Sequence, residues 1–155
     1  MNDLSTERPE FLKVTELLGG RQVLRRSLTH PLEVHEMLLQ GLPTKALTYL
    51  VQNMVVLSWD AALEKAVGMS QRTYQRHASA ARKSLNQEQT SRTWKLAEIL
   101  SKATAILGSK ETAEQWLEQP ATGLNQQRPI DLLATPVGVD LVEEFLVRLE
   151  YGVYA

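Results

Sequence analysis

Apolar residues along the chain recur mainly at spacings of three and four, so the pattern predicts helices almost throughout and few half-buried strands. Residues 1–25 carry the weakest periodicity, with Gly19-Gly20 as a break, and are expected to be the most loosely ordered part. A helix is expected after Pro31, through Leu32, Val34, Leu38 and Leu39, with Gly41 just past its end. The next starts at Pro43, whose missing N–H would have no partner in a first turn anyway, and runs through Leu47, Leu50 and Val51 to about Val55. Ser58 is placed to cap a helix of Trp59 to Val67 that ends at Gly68, and Ser70 to cap one from Gln71 to about Leu85.

A long helix from about Gln89 carries Trp94, Leu96, Ala97, Leu100, Ala103 and Leu107 and stops at Gly108. Trp94 there and Trp116 further on sit on amphipathic helices and read as core anchors. Ser109 caps a short helix ending in Trp116-Leu117 before Pro120, and "ATGLNQQRPIDLL" reads as a loop with a turn of helix at its end. Thr135 and Pro136 supply the cap and first residue of a last helix to about Glu150, with Val137, Leu141, Phe145 and Leu149 near one face. The expected fold is all-α, in three parts: a poorly defined N-terminal segment (1–30), a helical unit (31–88) and a small helical unit (89–155).

Composition changes this picture mainly by exclusion. The 155 residues contain no cysteine, which rules out disulfides, thiolate catalysis and cysteine-ligated zinc. The first residues lack a basic stretch followed by an apolar one, and no run approaches the roughly 18 apolar residues of a membrane span, so a soluble, cytoplasmic protein without a membrane partner is expected.

Net charge is only −1, but its distribution is lopsided. Between Gln71 and Lys95 stand Arg72, Arg76, Arg82, Lys83, Arg92 and Lys95 against the single acid Glu88. From Glu111 onward stand Glu111, Glu114, Glu118, Asp131, Asp140, Glu143, Glu144 and Glu150 against Arg128 and Arg148. Opposite blocks in adjacent segments suit different partners.

The sharpest local signal is "WDAALEKAVGMSQRTYQRHASAARK". Ala62, Leu63 and Val67 give a first helix a buried face, Gly68 permits a left-handed turn, Met69 plugs the angle and Ser70 starts a second helix, which is helix-turn-helix grammar. On the second helix Tyr74, Ala78 and Ala81 share one side, leaving Gln71, Arg72, Gln75, Arg76 and Arg82 for solvent or a ligand. Arg and Gln side chains can reach base edges, and Ser70, Thr73 and Lys83 can serve phosphates.

Catalytic patterns fare worse. His30 and His35 lie five apart, about 140° from each other on a helix, where paired metal ligands need three or four. Ser70 in "GMSQR" fails the nucleophile-elbow pattern, Gly19-Gly20 lacks phosphate-loop spacing, and the adjacent Glu143 and Glu144 diverge by about 100°. No catalytic site, metal site or cofactor is expected. The ending "RLEYGVYA" stands apart, because two tyrosines on a glycine hinge can either fold back onto their own helix or enter a partner's cleft.

From about Gly41 to Ala155 the sequence resembles the Xre/MbcA/ParS-type bacterial antitoxins of RES-Xre systems. The likeness lies in "GMSQRTYQR" and "LNQEQTSRTWKLAEILSKA", then in a Trp-Leu pair, the Pro-hydrophobic-Asp-Leu-Leu turn, the Thr-x-x-Gly helix start and the Glu-Tyr-Gly ending. Tyr74 departs from the small aliphatic residue usual at its position. The resemblance implies a RES-domain toxin as partner, one that consumes NAD or transfers its ADP-ribose. It also implies a homodimer, able to form a higher-order complex with toxin, that inhibits the toxin and represses its own operon by binding operator DNA.

Carried over, Arg72, Thr73 and Arg76 would fall on the recognition helix, and with Ser70, Gln71, Gln75 and Lys83, read from the helix itself, they are the expected DNA contacts. Trp116, Leu117, Pro129, Asp131, Leu132 and Leu133 would shape the toxin-binding fold. Arg148, Glu150, Tyr151, Gly152, Val153, Tyr154 and Ala155 would lie at the toxin's active-site cleft. A stand-alone dimeric helix-turn-helix regulator, its tail folded back, is the alternative.

Overall fold

The computed structural model describes residues 8–79 and 84–152. In chain order the helices are α1 (Pro9–Leu17), α2 (Gly20–Leu24), α3 (Pro31–Gln40), α4 (Thr44–Gln52), α5 (Ala61–Val67), α6 (Gln71–Ser79), α7 (Gln87–Leu107), α8 (Lys110–Leu117) and α9 (Pro136–Glu150). A 3-10 turn at Thr122–Leu124 and a 3-10 helix at Pro129–Ala134 lie between α8 and α9. Among the described residues there is no strand, and the all-α expectation holds.

α7 is the axis. Asn86 and Gln89 form a capping box at its start, each side chain accepting from the other residue's backbone N–H. Its buried residues Trp94, Leu96, Ala97, Ile99, Leu100 and Ala103 point in several directions, so neighbours surround it: α1, α3 and α5 on one side of the sequence, α8 and α9 on the other. α5 in turn packs on the 3-10 helix Pro129–Ala134, which also carries α9. The result is one continuous core across both halves of the chain.

Four local expectations are corrected. Residues 9–24 are not loose: α1 packs against α7, and Val14, Leu18, Leu24 and Leu28 are buried. Their periodicity was weak because only one narrow stripe of each short helix faces inward; Gly19, at φ 103°, makes the turn between them. α4 stops at Gln52 rather than Val55, because the amides of Val55, Val56 and Leu57 bond to the Glu114 carboxylate instead of to α4 carbonyls. α5 begins at Ala61 with Asp60 as its cap (Leu63 N to Oδ1, 3.0 Å), not with Ser58, which leaves Trp59 outside the helix. On α9 the buried face is Gly138, Val142, Phe145 and Leu146, while Val137 and Leu141 are exposed.

His30, one of the two histidines weighed as a metal pair, caps α3 by accepting from Leu32 N at Nδ1. The caps at Ser109 and Thr135 are as the sequence predicts: each hydroxyl accepts from the backbone N–H three residues on, at 3.1 and 3.0 Å.

Glu114 is fully buried on α8 and receives Val55 N, Val56 N and Leu57 N at 3.0, 2.7 and 2.8 Å on Oε1. Lys110, one turn earlier, stands 3.9 Å from its other oxygen and donates to the Asn53 carbonyl. Removing the carboxylate would strand three amides of a packed segment, so Glu114→Ala is expected to cost about 3–5 kcal/mol. Urea unfolding of the full chain checks this, and a loss below about 1 kcal/mol would show that the segment is held by something else.

Candidate functional site

The first candidate surface is the α5–α6 hairpin. Gly68, at φ 78°, ends α5 in the left-handed conformation, and its N–H bonds to the Glu64 carbonyl at 2.8 Å. A Cβ here would come within 3.0 Å of Arg92 Cδ, because Arg92 of α7 lies across the turn. That guanidinium donates to the Lys65 carbonyl at 2.7 Å and pairs with Glu88 at 3.0 Å. Met69 is buried in the angle, as its place in the sequence predicts.

Ser70 caps α6: its Oγ accepts from Thr73 N at 3.1 Å and lies 3.0 Å from Thr73 Oγ1, which Arg76 also approaches at 3.4 Å. No residue of α6 is fully buried. The helix is held by Tyr74, which stacks on Trp59 with ring centroids 4.5 Å apart and planes 19° from parallel. Burial raises the Tyr74 pKa above its ordinary value. Trp59, left outside α5, supplies the wall that Tyr74 packs on. Ala78, expected on the packed side, is exposed, and Ala81 lies outside the described residues.

Gln71, Arg72, Gln75 and Arg76 are exposed, with Arg72 and Arg76 one turn apart on the outer face. Lys83, like Arg82, lies outside the described residues. The rest of the basic block is structural. Arg92 braces the turn, and Lys95 pairs with Glu98 at 2.6 Å and with Glu143 of α9 at 3.2 Å.

The second candidate surface is the outer side of α9. Gly138 is obligatory, since a Cβ there would lie 1.9 Å from the Leu132 carbonyl oxygen of the 3-10 helix. This is the physical content of the Thr-x-x-Gly helix start: Thr135 caps the Gly138 amide, and the missing side chain lets α9 lie directly on the preceding backbone. Phe145 stacks on Trp116 at 6.0 Å, and Leu117, Pro129 and Leu133 are buried beneath, with Leu132 partly so. Asp131 is exposed and accepts two bonds from Arg128, at 2.8 and 3.0 Å, which hold its pKa below the ordinary carboxylate value.

Facing away from this core are Val137, Leu141, Val147 and Tyr151, with 70, 44, 50 and 77% of their surface exposed. At about 100° per residue, Val137, Leu141, Glu144, Arg148 and Tyr151 fall within about 80° of one another. Glu144 and Arg148 lie inside that arc and Val147 about 80° to one side of Val137, so the outer face of α9 mixes exposed apolar and charged side chains. Arg148 is half-buried, and its Nε makes no hydrogen bond among the described residues. Glu150 is exposed, and Gly152, at φ 74°, turns the backbone after Tyr151. Val153, Tyr154 and Ala155 lie outside the described residues.

Sequence reading missed Val137, Leu141 and Val147 as surface residues, and it missed Glu64 and Trp59. The available signal for α9 was Gly138, which marks the side where another backbone must approach.

Comparison with protein families matches residues 33–98 to the antitoxin Xre-like helix-turn-helix domain and residues 102–152 to the antitoxin Xre/MbcA/ParS C-terminal toxin-binding domain. The chain belongs to the Xre/MbcA/ParS-type antitoxins. The antitoxin therefore carries a DNA-binding module and a toxin-binding module, with DNA and a toxin as its two partners, and neither family is enzymatic. No curated protein matches the antitoxin. Among the described residues no helix is long and apolar enough to cross a membrane.

The two modules meet at α7 and α9 through the Lys95, Glu98, Glu143 and Lys102 network. Burial alone would raise the Glu143 pKa, but Lys95 and Lys102 outweigh it and hold the carboxyl below its ordinary 4.5. Lys95 likewise loses to burial and gains more from Glu98 and Glu143, so its pKa rises above 10.5 and it stays charged throughout the acid range. A depressed carboxylate pKa stabilises the fold above the unfolded value, and that contribution is lost as pH falls through the folded one. Thermal melts at about pH 6 and pH 3 are thus expected to differ less for Glu143→Gln than for the native chain. Equal differences would mean that this network carries none of the acid sensitivity.

Proposed function

We propose that the antitoxin inhibits a RES-domain toxin, which consumes NAD or transfers its ADP-ribose, by covering the toxin's active-site cleft with the end of α9 and the residues after it. The observation that carries this reading is the outer side of α9, where Val137, Leu141, Val147 and Tyr151 are exposed among Asp140, Glu144 and Arg148 on a helix whose opposite face is already packed. Four large exposed apolar side chains on one helix, interspersed with charge, suit a protein partner. Arg148, Glu150, Tyr151, Gly152, Val153, Tyr154 and Ala155 are the residues assigned to the cleft, and the outer side of α9 is the docking face that delivers them. Asp140 and Glu144 there favour a basic rim on the toxin.

The same chain represses its own operon as a homodimer, with α6 as recognition helix. Arg72, Gln75 and Arg76 reach base edges or phosphates from the exposed face, Ser70, Gln71 and Thr73 lie at the DNA-facing end, and Lys83 adds charge. Two such helices would address half-sites about 34 Å apart.

NAD consumption by the toxin encoded alongside, measured with the full chain and with one ending at Glu150, tests the first part. The intact chain is expected to inhibit and the shortened one to fail while melting as a folded protein. Tyr151→Ala and Leu141→Ser are each expected to weaken toxin binding about tenfold or more. Equal inhibition by all forms would put the interface elsewhere.

For DNA, Arg72→Ala and Arg76→Ala are each expected to weaken binding and to flatten its salt dependence by about one unit of slope. Unchanged binding in both would remove α6 from the DNA face.

A further inference from the structure

The turn between α5 and α6 is built around one side chain. Glu64 lies four residues before Gly68, and its main-chain carbonyl accepts from both Gly68 N and Met69 N, at 2.8 and 3.1 Å. Its carboxylate then crosses the turn, where Oε2 accepts from Gln71 N, the first amide of α6, at 2.7 Å. A first-turn N–H has no partner inside its own helix and carries part of the positive end of the helix dipole. On a helix that meets DNA with its N-terminal end, that amide is suited to donate to a phosphate oxygen. Here a carboxylate already occupies it, and the Ser70 hydroxyl occupies the amide two residues on.

Two cations of this region are engaged elsewhere, while Arg72, next to Gln71, is exposed. Arg92 is committed to Glu88 and the Lys65 carbonyl, and Arg76 leans toward Thr73. Among the described residues no ion pair reaches Glu64.

We propose that Glu64 is both the anchor of the recognition helix and a brake on its DNA affinity. As an acceptor it fixes the start of α6 against the end of α5 without help from DNA, so the reading face is formed before binding. As a charge that no ion pair among the described residues neutralises, at the DNA-facing end of α6, it lowers affinity for any duplex, whatever the sequence. The inference rests on the reading of α6 as recognition helix. The two roles separate chemically, because glutamine keeps the acceptor oxygen and loses the charge, while methionine keeps length and helix propensity and loses both.

Full-length native protein, Glu64→Gln, Glu64→Met and Arg76→Ala would be titrated by fluorescence anisotropy. The probes are a random-sequence duplex and an equally long duplex from the chain's own promoter region, and thermal melts confirm the fold. Glu64→Gln is expected to bind both duplexes about 3–10-fold more tightly at low salt, with their ratio unchanged, and to lose that advantage as salt screens the charge. Glu64→Met is expected to gain on the random duplex as well, but to lose preference for the promoter by about tenfold.

If Glu64→Gln binds the random duplex no more tightly than the native chain while Arg76→Ala binds it more weakly, the brake is wrong and the recognition helix stands. If Glu64→Met keeps the full promoter preference, the anchor is wrong. If Arg76→Ala changes neither duplex, α6 does not face DNA, and the inference falls with that reading.

Discussion

The buried carboxylate of Glu114 is the contact on which the two functional surfaces depend. It gathers the amides of Val55, Val56 and Leu57, which would otherwise be donors without acceptors in a packed segment between two helices. Burying an ionised group costs several kcal/mol, and three charge-assisted bonds with Lys110 nearby offset that cost. The geometry that follows is specific. α4 is stopped at Gln52, and Trp59 and Asp60 are delivered to the start of α5. Trp59 then supplies the ring on which Tyr74 stacks, and that stack holds α6 with its polar face outward. A residue of the toxin-binding half thus sets the frame of the DNA-binding half.

A second set of contacts runs the same way. The 3-10 helix Pro129–Ala134 lies between α5 and α9, and Gly138 brings α9 against its backbone so closely that no side chain fits. α9 is therefore seated on the element that also supports the first helix of the helix-turn-helix. Because cores are close-packed and deform little, the outer face of α9 and the hairpin of α5 and α6 are presented in one fixed relation. Both surfaces of the antitoxin are outer faces of the same core.

Charge is divided by the fold between structure and recognition. In sequence, Arg92 and Lys95 continue the basic run begun by Arg72 and Arg76, and Glu114 and Glu143 belong to the acidic run at the other end. In space Arg92 braces the turn at Gly68, Lys95 and Glu143 join α7 to α9, and Glu114 is out of solvent altogether. What remains outward is a smaller basic pair on α6 and a smaller set of acids on the outer side of α9. Opposite charges that read as rival patches partly neutralise each other across the core.

The sequence by itself determined the all-α class, the helix starts capped by Ser70, Ser109 and Thr135, and the grammar around Gly68. Those features depend on contacts within four residues: a hydroxyl reaching an amide three positions on, a proline in a first turn, a glycine adopting positive φ. It also carried the family resemblance, because the order of its motifs survives without coordinates. Only tertiary structure decided where α4 ends, since that needs Glu114, nearly sixty positions away. It likewise decided which side of α9 is buried, because a helix with apolar residues on two faces leaves that choice to whatever backbone approaches it, and Gly138 is where one does. The order of residues 9–24 was hidden for a similar reason: short helices have little propensity of their own and are stabilised by packing on α7.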